Sequence, residues 1–362
     1  MLSFNFANFF YILPFFLAFF ISWFFFIKNN FLYIRLNPTS NDVVTHSIFL
    51  KKFNFKVFLN FNQLIIFYLF VCIFFLKGSS NLLWWNHLYL NNFNLYIVLM
   101  VIFVSLFLFY SIKSISNNNN VNNSDYYFSL INLCIFIPIM FLSNSFYNFL
   151  FVLEVVSMLI FYKFSVSKFW FKNINDVFNK KNLLDRFFSR SYSNVLFYQY
   201  WVNFFSTTVM LISLINLIFL YGSSDWMFLN FLNLINSNVS YFNIKEFNLI
   251  FWIPLFLGFF LKIGVSPLHL FKVEVYKGIP FISIYFYTTY YFFSYFLFFS
   301  TLIYFYLNTF KLFWWLFIVI FFIISMIYIV SLLFDVNFTK AFFAYSTIAN
   351  SLSYLCLLVA SL

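Results

Sequence analysis

Pro254-Leu-Phe-Leu-Gly258-Phe-Phe-Leu-Lys262-Ile-Gly264-Val-Ser266-Pro267-Leu-His269, running on to Gly278-Ile-Pro280, is the segment that most constrains the architecture. Six of the chain's eleven Gly and Pro residues fall within it: Pro254, Gly258, Gly264, Pro267, Gly278 and Pro280. Its first half is apolar and belongs to a run of the length that crosses a bilayer. Pro267 lacks an N–H, and its ring clashes with a carbonyl one turn earlier. The sequence therefore predicts a helix broken near 258–267. Broken helices in membranes are tolerated where the freed backbone groups line a protein-enclosed or hydrated cavity. Lys262 stands beside this break.

The rest of the chain sets that stretch in a membrane. Of 362 residues, 64% are apolar and only 8% are charged, with 68 Phe. Soluble domains carry about 25% charged residues, so a soluble enzyme, a disordered chain and a nucleic-acid binder are all excluded. Ten apolar runs predict spans over 4–27, 57–76, 95–112, 127–143, 145–162, 195–221, 247–265, 279–306, 312–334 and 341–361. The polar stretches 28–56 and 163–194 and the Asn-rich piece 117–123 read as loops. No run alternates apolar and polar residues with a period of two, so a β-barrel is disfavoured. The expected architecture is a single all-α membrane domain over 1–362, a polytopic bundle of transmembrane helices. Met1 to Ile27 carries no basic leader and no small-residue cleavage site, so it reads as a retained first span.

The bases give an orientation. Sixteen of the twenty Lys and Arg residues fall after odd-numbered spans, including the run Lys163, Lys168, Lys172, Lys180, Lys181, Arg186 and Arg190 in 163–194, and Lys272 and Lys277. Only Lys77, Lys245 and Lys311 lie on the other side. By the positive-inside rule the odd loops face inward and the N-terminus outward. The abundant residues Phe, Asn, Tyr, Ile and Lys use A/T-rich codons, which points to a small organelle genome and makes part of the Phe excess a matter of codon pressure. Cys72, Cys134 and Cys356 stand apart in apolar runs and form no disulfide or metal-ligand spacing.

Two ionisable residues lie inside spans. Glu154 sits mid-span in Phe149-Leu-Phe-Val-Leu-Glu154-Val-Val-Ser157-Met158. Helical spacing places Tyr147, Glu154, Ser157 and Met158 on one stripe, expected to face the bundle interior. A carboxyl there costs about 2.5–3.5 kcal/mol on insertion scales. It reads either as a protonated packing residue or as an ion-path carboxylate. Lys262 reads either as a side chain snorkelling to the interface or as a buried ammonium. A desolvated ammonium gives up its proton more readily than one in water, so such a Lys can load and release protons. His269 and Ser266, in the same break, are candidate relays, and His269 reads alternatively as a simple hydrogen-bonding group. No nucleotide loop, nucleophile–base pair or metal cluster is present, so no redox or covalent site is expected in this chain.

At these residues the sequence resembles a family. Lys262, Gly264, Pro267, His269, Val275, Tyr276, Gly278 and Pro280 match a signature reading roughly F-K-x-G-x-x-P-F-H-x-W-x-P-D-V-Y-E-G-x-P, with Phe271 for Trp and Glu274 for Asp. That signature marks subunit 2 of NADH dehydrogenase, an antiporter-like membrane subunit of respiratory complex I. The Val275-Tyr276-Lys-Gly278-Ile-Pro280 run separates it from subunits 4 and 5. Leu153-Glu154-Val-Val-Ser157 is similar to the family's fifth-span L-E-x-x-S. Residues Asn337 to Asn350 resemble N-x-K/R-x-x-x-A-Y-S-S-I-x-H, and Leu220-Tyr221-Gly222 ends a sixth span as the family's does.

The resemblance implies an antiporter-like fold and a proton channel with Glu154 and Lys262 as relay residues. It implies a mitochondrial inner-membrane location, with the N-terminus on the intermembrane-space side and the basic loops in the matrix. Other membrane-arm subunits and lipids such as cardiolipin are the implied partners, with no nucleic acid. NADH, FMN, iron–sulfur and quinone sites would lie on other subunits, with no cofactor bound here. The sequence departs from the family twice. Position 292 is Phe where the family's eighth span carries a second Lys, which leaves Tyr290, Tyr291 and Ser294 as relay candidates. The family's long form has fourteen spans, so ten leave the second inverted repeat incomplete, and a separate polypeptide is expected to supply the remaining helices. Two other readings stay open: a structural membrane subunit whose channel has decayed, and an independent ion–proton antiporter.

Overall fold

A computed structural model gives the architecture and describes residues 13–24, 63–75, 81–83, 87–119, 124–167, 184–226, 228, 231, 242–266, 268–306, 312–334, 336 and 338–360. The polar stretches 28–56 and 168–183 and Pro267 lie outside the described residues. The helices in chain order are α1 (Leu13–Phe24), α2 (Gln63–Phe75), α3 (Asn92–Asn119), α4 (Ser124–Phe141), α5 (Phe146–Ser167), α6 (Leu184–Tyr221), α7 (Phe242–Ile263), α8 (Leu270–Gly278), α9 (Phe281–Phe286), α10 (Phe293–Tyr306), α11 (Leu312–Phe334) and α12 (Thr339–Ala360). A π turn, Tyr287–Phe292, joins α9 to α10. A short antiparallel ribbon, β1 (Asn81–Leu83) with β2 (Leu88–Leu90), is the one addition to an otherwise helical fold among the described residues. Phe93–Ser111, Phe146–Val166 and Tyr192–Phe219 are each long and apolar enough to cross a membrane.

The chain divides into two compact units: 1–144 with 152–174, and 145–151 with 175–362. In the first, α1 meets α4 through the Phe19–Phe136 ring pair, 5.8 Å between centroids, while Phe70 of α2 meets Phe103 of α3 at 6.3 Å. Phe109 of α3 packs edge-on to Tyr127 of α4. The ribbon is tied to the end of α4 by bonds from Tyr89 N–H to Leu142 O and from Asn144 N–H to His87 O.

In the second unit α6 and α7 lie close together. A Cβ at Gly258 would stand 3.1 Å from the Ser206 backbone oxygen and closer still to Met210 Cγ, so only glycine allows this approach. Phe149, Phe259 and Phe298 form a buried stack in which Phe149 and Phe298 are parallel at 4.1 Å. Phe260 reaches Phe322 of α11. Lys340, at the start of α12, donates to Ile279 O at 2.8 Å and so ties α12 to the end of α8.

Several boundaries differ from the sequence expectation. The break falls after Ile263, so Gly258 lies inside α7, not in the interruption, and Pro254 lies within the same helix. Proline is accepted there because a neighbouring helix can take up the freed carbonyl. Of the loop expected over 163–194, residues 163–167 close α5 and 184–194 open α6. The Asn-rich piece from 117 continues α3 to Asn119.

Gly264 ends α7 with φ +72°, a left-handed conformation that costs a side-chain-bearing residue about 1–2 kcal/mol. Its added Cβ would also meet Lys272 Cδ and Phe271 Cζ, each at 3.1 Å. Gly264→Ala should therefore lower the thermal midpoint of the solubilised chain. Loss of α-helical circular dichroism on heating is the measurement.

Candidate functional site

The interruption between α7 and α8 is built by hydrogen bonds to a few carbonyls. Phe260 O accepts from both Gly264 N–H (2.9 Å) and Val265 N–H (3.1 Å), which closes α7 with a glycine cap. Leu268 N–H then donates to Val265 O at 2.8 Å, and Lys272 N–H to His269 O at 2.9 Å as α8 begins. Lys262 is therefore in the last turn of α7. There the carbonyl end of the helix dipole favours a positive charge by about 0.3–1 kcal/mol, and by up to about 2 kcal/mol when partly buried. The side chain is 2% exposed, so it packs inside the unit and does not snorkel along the surface of this chain.

The other predicted residues of the second unit fall into two groups. Ser266 and His269 are buried in the interruption, and the His269 ring lies 6.2 Å from both Tyr328 of α11 and Tyr345 of α12. Tyr290, Tyr291 and Ser294 are buried along the π turn and the start of α10. Tyr291 stacks on Tyr287 at 5.0 Å and 10°, and touches Phe292 and Tyr295. Tyr276 of α8 joins the cluster through Tyr287, at 6.2 Å. Ser294 Oγ donates to Tyr291 O at 2.8 Å, which commits its proton to the turn.

Sequence reading missed the charged member of this second group, along with its rings Tyr276, Tyr287 and Tyr295. Lys272, counted there as an inside-facing loop base, is 1% exposed within α8, and its Nζ lies 3.9 Å from the centroid of the Phe292 ring. Its stem passes over Gly264. A desolvated cation–π contact contributes about 2 kcal/mol, whereas desolvating an ammonium costs several kcal/mol. The ring seats the charge without neutralising it. The signal that could have singled it out is position: Lys272 stands three residues after His269, on the buried face of a helix, whereas Lys277 is exposed and pairs with Glu274 at 2.6 Å.

In the first unit, Glu154 lies at the border of the buried face of α5. That face runs through Leu153, Val156, Ile160 and Phe164. The expected interior stripe is thus corrected: Ser157 is buried, but Tyr147 and Met158 are 59% and 56% exposed on this chain. At about 100° per residue they stand further round the helix than Glu154, away from Ser157. The Ser157 hydroxyl donates to Glu154 O, not to its carboxylate. Glu154 Oε2 is buried without a hydrogen-bond partner among the described residues. Lys163, also expected in the loop, is buried in the same helix with Nζ 5.1 Å over the Tyr126 ring.

This geometry predicts a labelling pattern. A membrane-impermeant amine reagent should modify Lys277 in the purified chain and spare Lys262 and Lys272. Peptide mass spectrometry reads the difference, and modification of all three at equal rates would contradict the burial described.

No family model matches the chain. It is 36% identical over 81 residues to an uncharacterised mitochondrial protein, ORF4, of Paramecium tetraurelia, a match covering 22% of this chain and about half (52%) of that protein. Among solved structures it resembles a chain of respiratory complex I from Thermus thermophilus, with TM-score 0.60 and 11% identity. It also resembles a chain of the membrane-bound sulfane sulfur reductase, an archaeal respiratory membrane complex, with TM-score 0.65 and 10% identity. The likeness covers 95% and 97% of this chain but 64% of each of theirs. The chain is a membrane protein with the antiporter-like fold found in these respiratory complexes.

Proposed function

We propose that the chain is a proton-translocating subunit of the membrane arm of a complex I-type NADH:ubiquinone oxidoreductase, with Glu154 and Lys262 as the relay. The observation that carries the reading is Lys262, buried in the last turn of a helix that Gly264 interrupts. An ionisable residue held inside a membrane bundle is costly to keep and is by default a functional group. The buried Oε2 of Glu154 gives the first unit a carboxylate suited to the same task. The antiporter-like fold supports the complex. The mitochondrial relative and the A/T-biased composition support the mitochondrial inner membrane. With Lys163 and Lys272 set aside as buried, fourteen bases still lie after odd spans against three after even ones, which supports a matrix-facing basic side. Neighbouring membrane-arm chains are then the partners, and the electron carriers lie on other subunits.

A second reading has its own observation. Phe292 is buried against Tyr287 and Tyr291, as a ring filling a former channel would be. On that reading the chain is a structural subunit.

Glu154→Gln and Lys262→Met separate the two. In the assembled complex each should cut proton translocation by about a hundredfold, the low side of what a positioned proton-transfer group contributes, with assembly unchanged on native gels. Full translocation in both variants would establish the structural reading.

A further inference from the structure

Lys272 is used by neither reading, and its surroundings are those of a working cation. The stem crosses the backbone at Gly264, two residues past Lys262, where any Cβ would press on it. The ammonium rests on the Phe292 ring. That ring closes the π turn and is held by Tyr287 at 4.7 Å. In an α-helix residues five apart point to different sides, whereas a π turn, with its i→i+5 bonding, brings them onto one face. The π turn is thus what pairs Phe292 with Tyr287 beneath Lys272. No carboxylate among the described residues pairs with Lys272, since Glu274 is engaged by Lys277 at the surface. An aromatic face holds an ammonium without locking its charge as a carboxylate would.

We propose that Lys272 is a further proton-carrying residue of the path that contains Lys262, with the Phe292 ring as the seat of its ammonium. This rests on the proton-translocating reading above. Loading turns the Lys272 amine into an ammonium over the ring. Release returns the neutral amine and passes the proton to a neutral Lys262 amine, directly or through water, so one charge moves and none is created. Phe292, which fills the channel on the structural reading, is on this one a support for a lysine reaching in from α8.

The test compares Lys272→Met, Lys272→Arg and the exchange of Lys272→Met with Phe292→Lys, each in the full chain within its native membrane assembly. Proton translocation driven by the assembly's own substrate oxidation is read beside assembly on native gels. Lys272→Met should lower translocation by about a hundredfold with assembly intact. Lys272→Arg, whose guanidinium keeps its proton, should lower it as much. The exchange, which returns an amine to the same place from α10's side, should recover most of it. Normal translocation in Lys272→Met beside loss in Lys262→Met overturns the proposal and leaves the function reading standing. Failure of all three variants to assemble makes Lys272 a packing residue and overturns it too. Normal translocation in both Lys262→Met and Lys272→Met overturns the function reading and this proposal together.

Discussion

A peptide group in hydrocarbon has no water to bond, so each N–H and C=O must find a partner within the protein. Continuous helices meet that demand along most of this chain. At Gly264 the ladder stops, and the protein meets it piecemeal. Phe260 O takes two donors, Val265 O takes the Leu268 N–H, and His269 O takes the Lys272 N–H. The first of these steps requires φ +72° at Gly264, which a side chain resists. The interruption sets Lys262, His269 and Lys272, each of them buried, within eleven residues of one another.

Aromatic residues do two jobs around this frame. Many of the Phe side chains are exposed on this chain, among them Phe75, Phe103, Phe219 and Phe334. In the interior, Phe149, Phe259 and Phe298 stack across three helices and Tyr287, Tyr291 and Phe292 line the π turn. Rings in these places carry geometry, since their faces accept a cation and their edges lock neighbouring helices.

Lys262 and Glu154 were legible because a charge in an apolar run is conspicuous in one dimension. Lys163 and Lys272 were not, because each is flanked by enough polar residues to read as a loop base. The π turn carries no pattern of its own, since Tyr287-Thr-Thr-Tyr-Tyr-Phe292 is as acceptable in an ordinary helix. The reading of Tyr147 and Met158 went astray for a related reason. Helical spacing fixes which residues share a stripe, not which way the stripe faces, and in lipid both faces of a helix are apolar.

The order of residues alone specified the solvent, the helical class, the interruption beside Lys262 and the two charges inside apolar runs. Those follow from composition, from run length and from the backbone limits of Gly and Pro, all of which are local. Packing, by contrast, makes Lys272 an interior residue, puts Phe292 beneath it and leaves Glu154 at the edge of its buried face. These depend on which helix packs on which side, and a chain apolar all round holds no record of that until its helices meet.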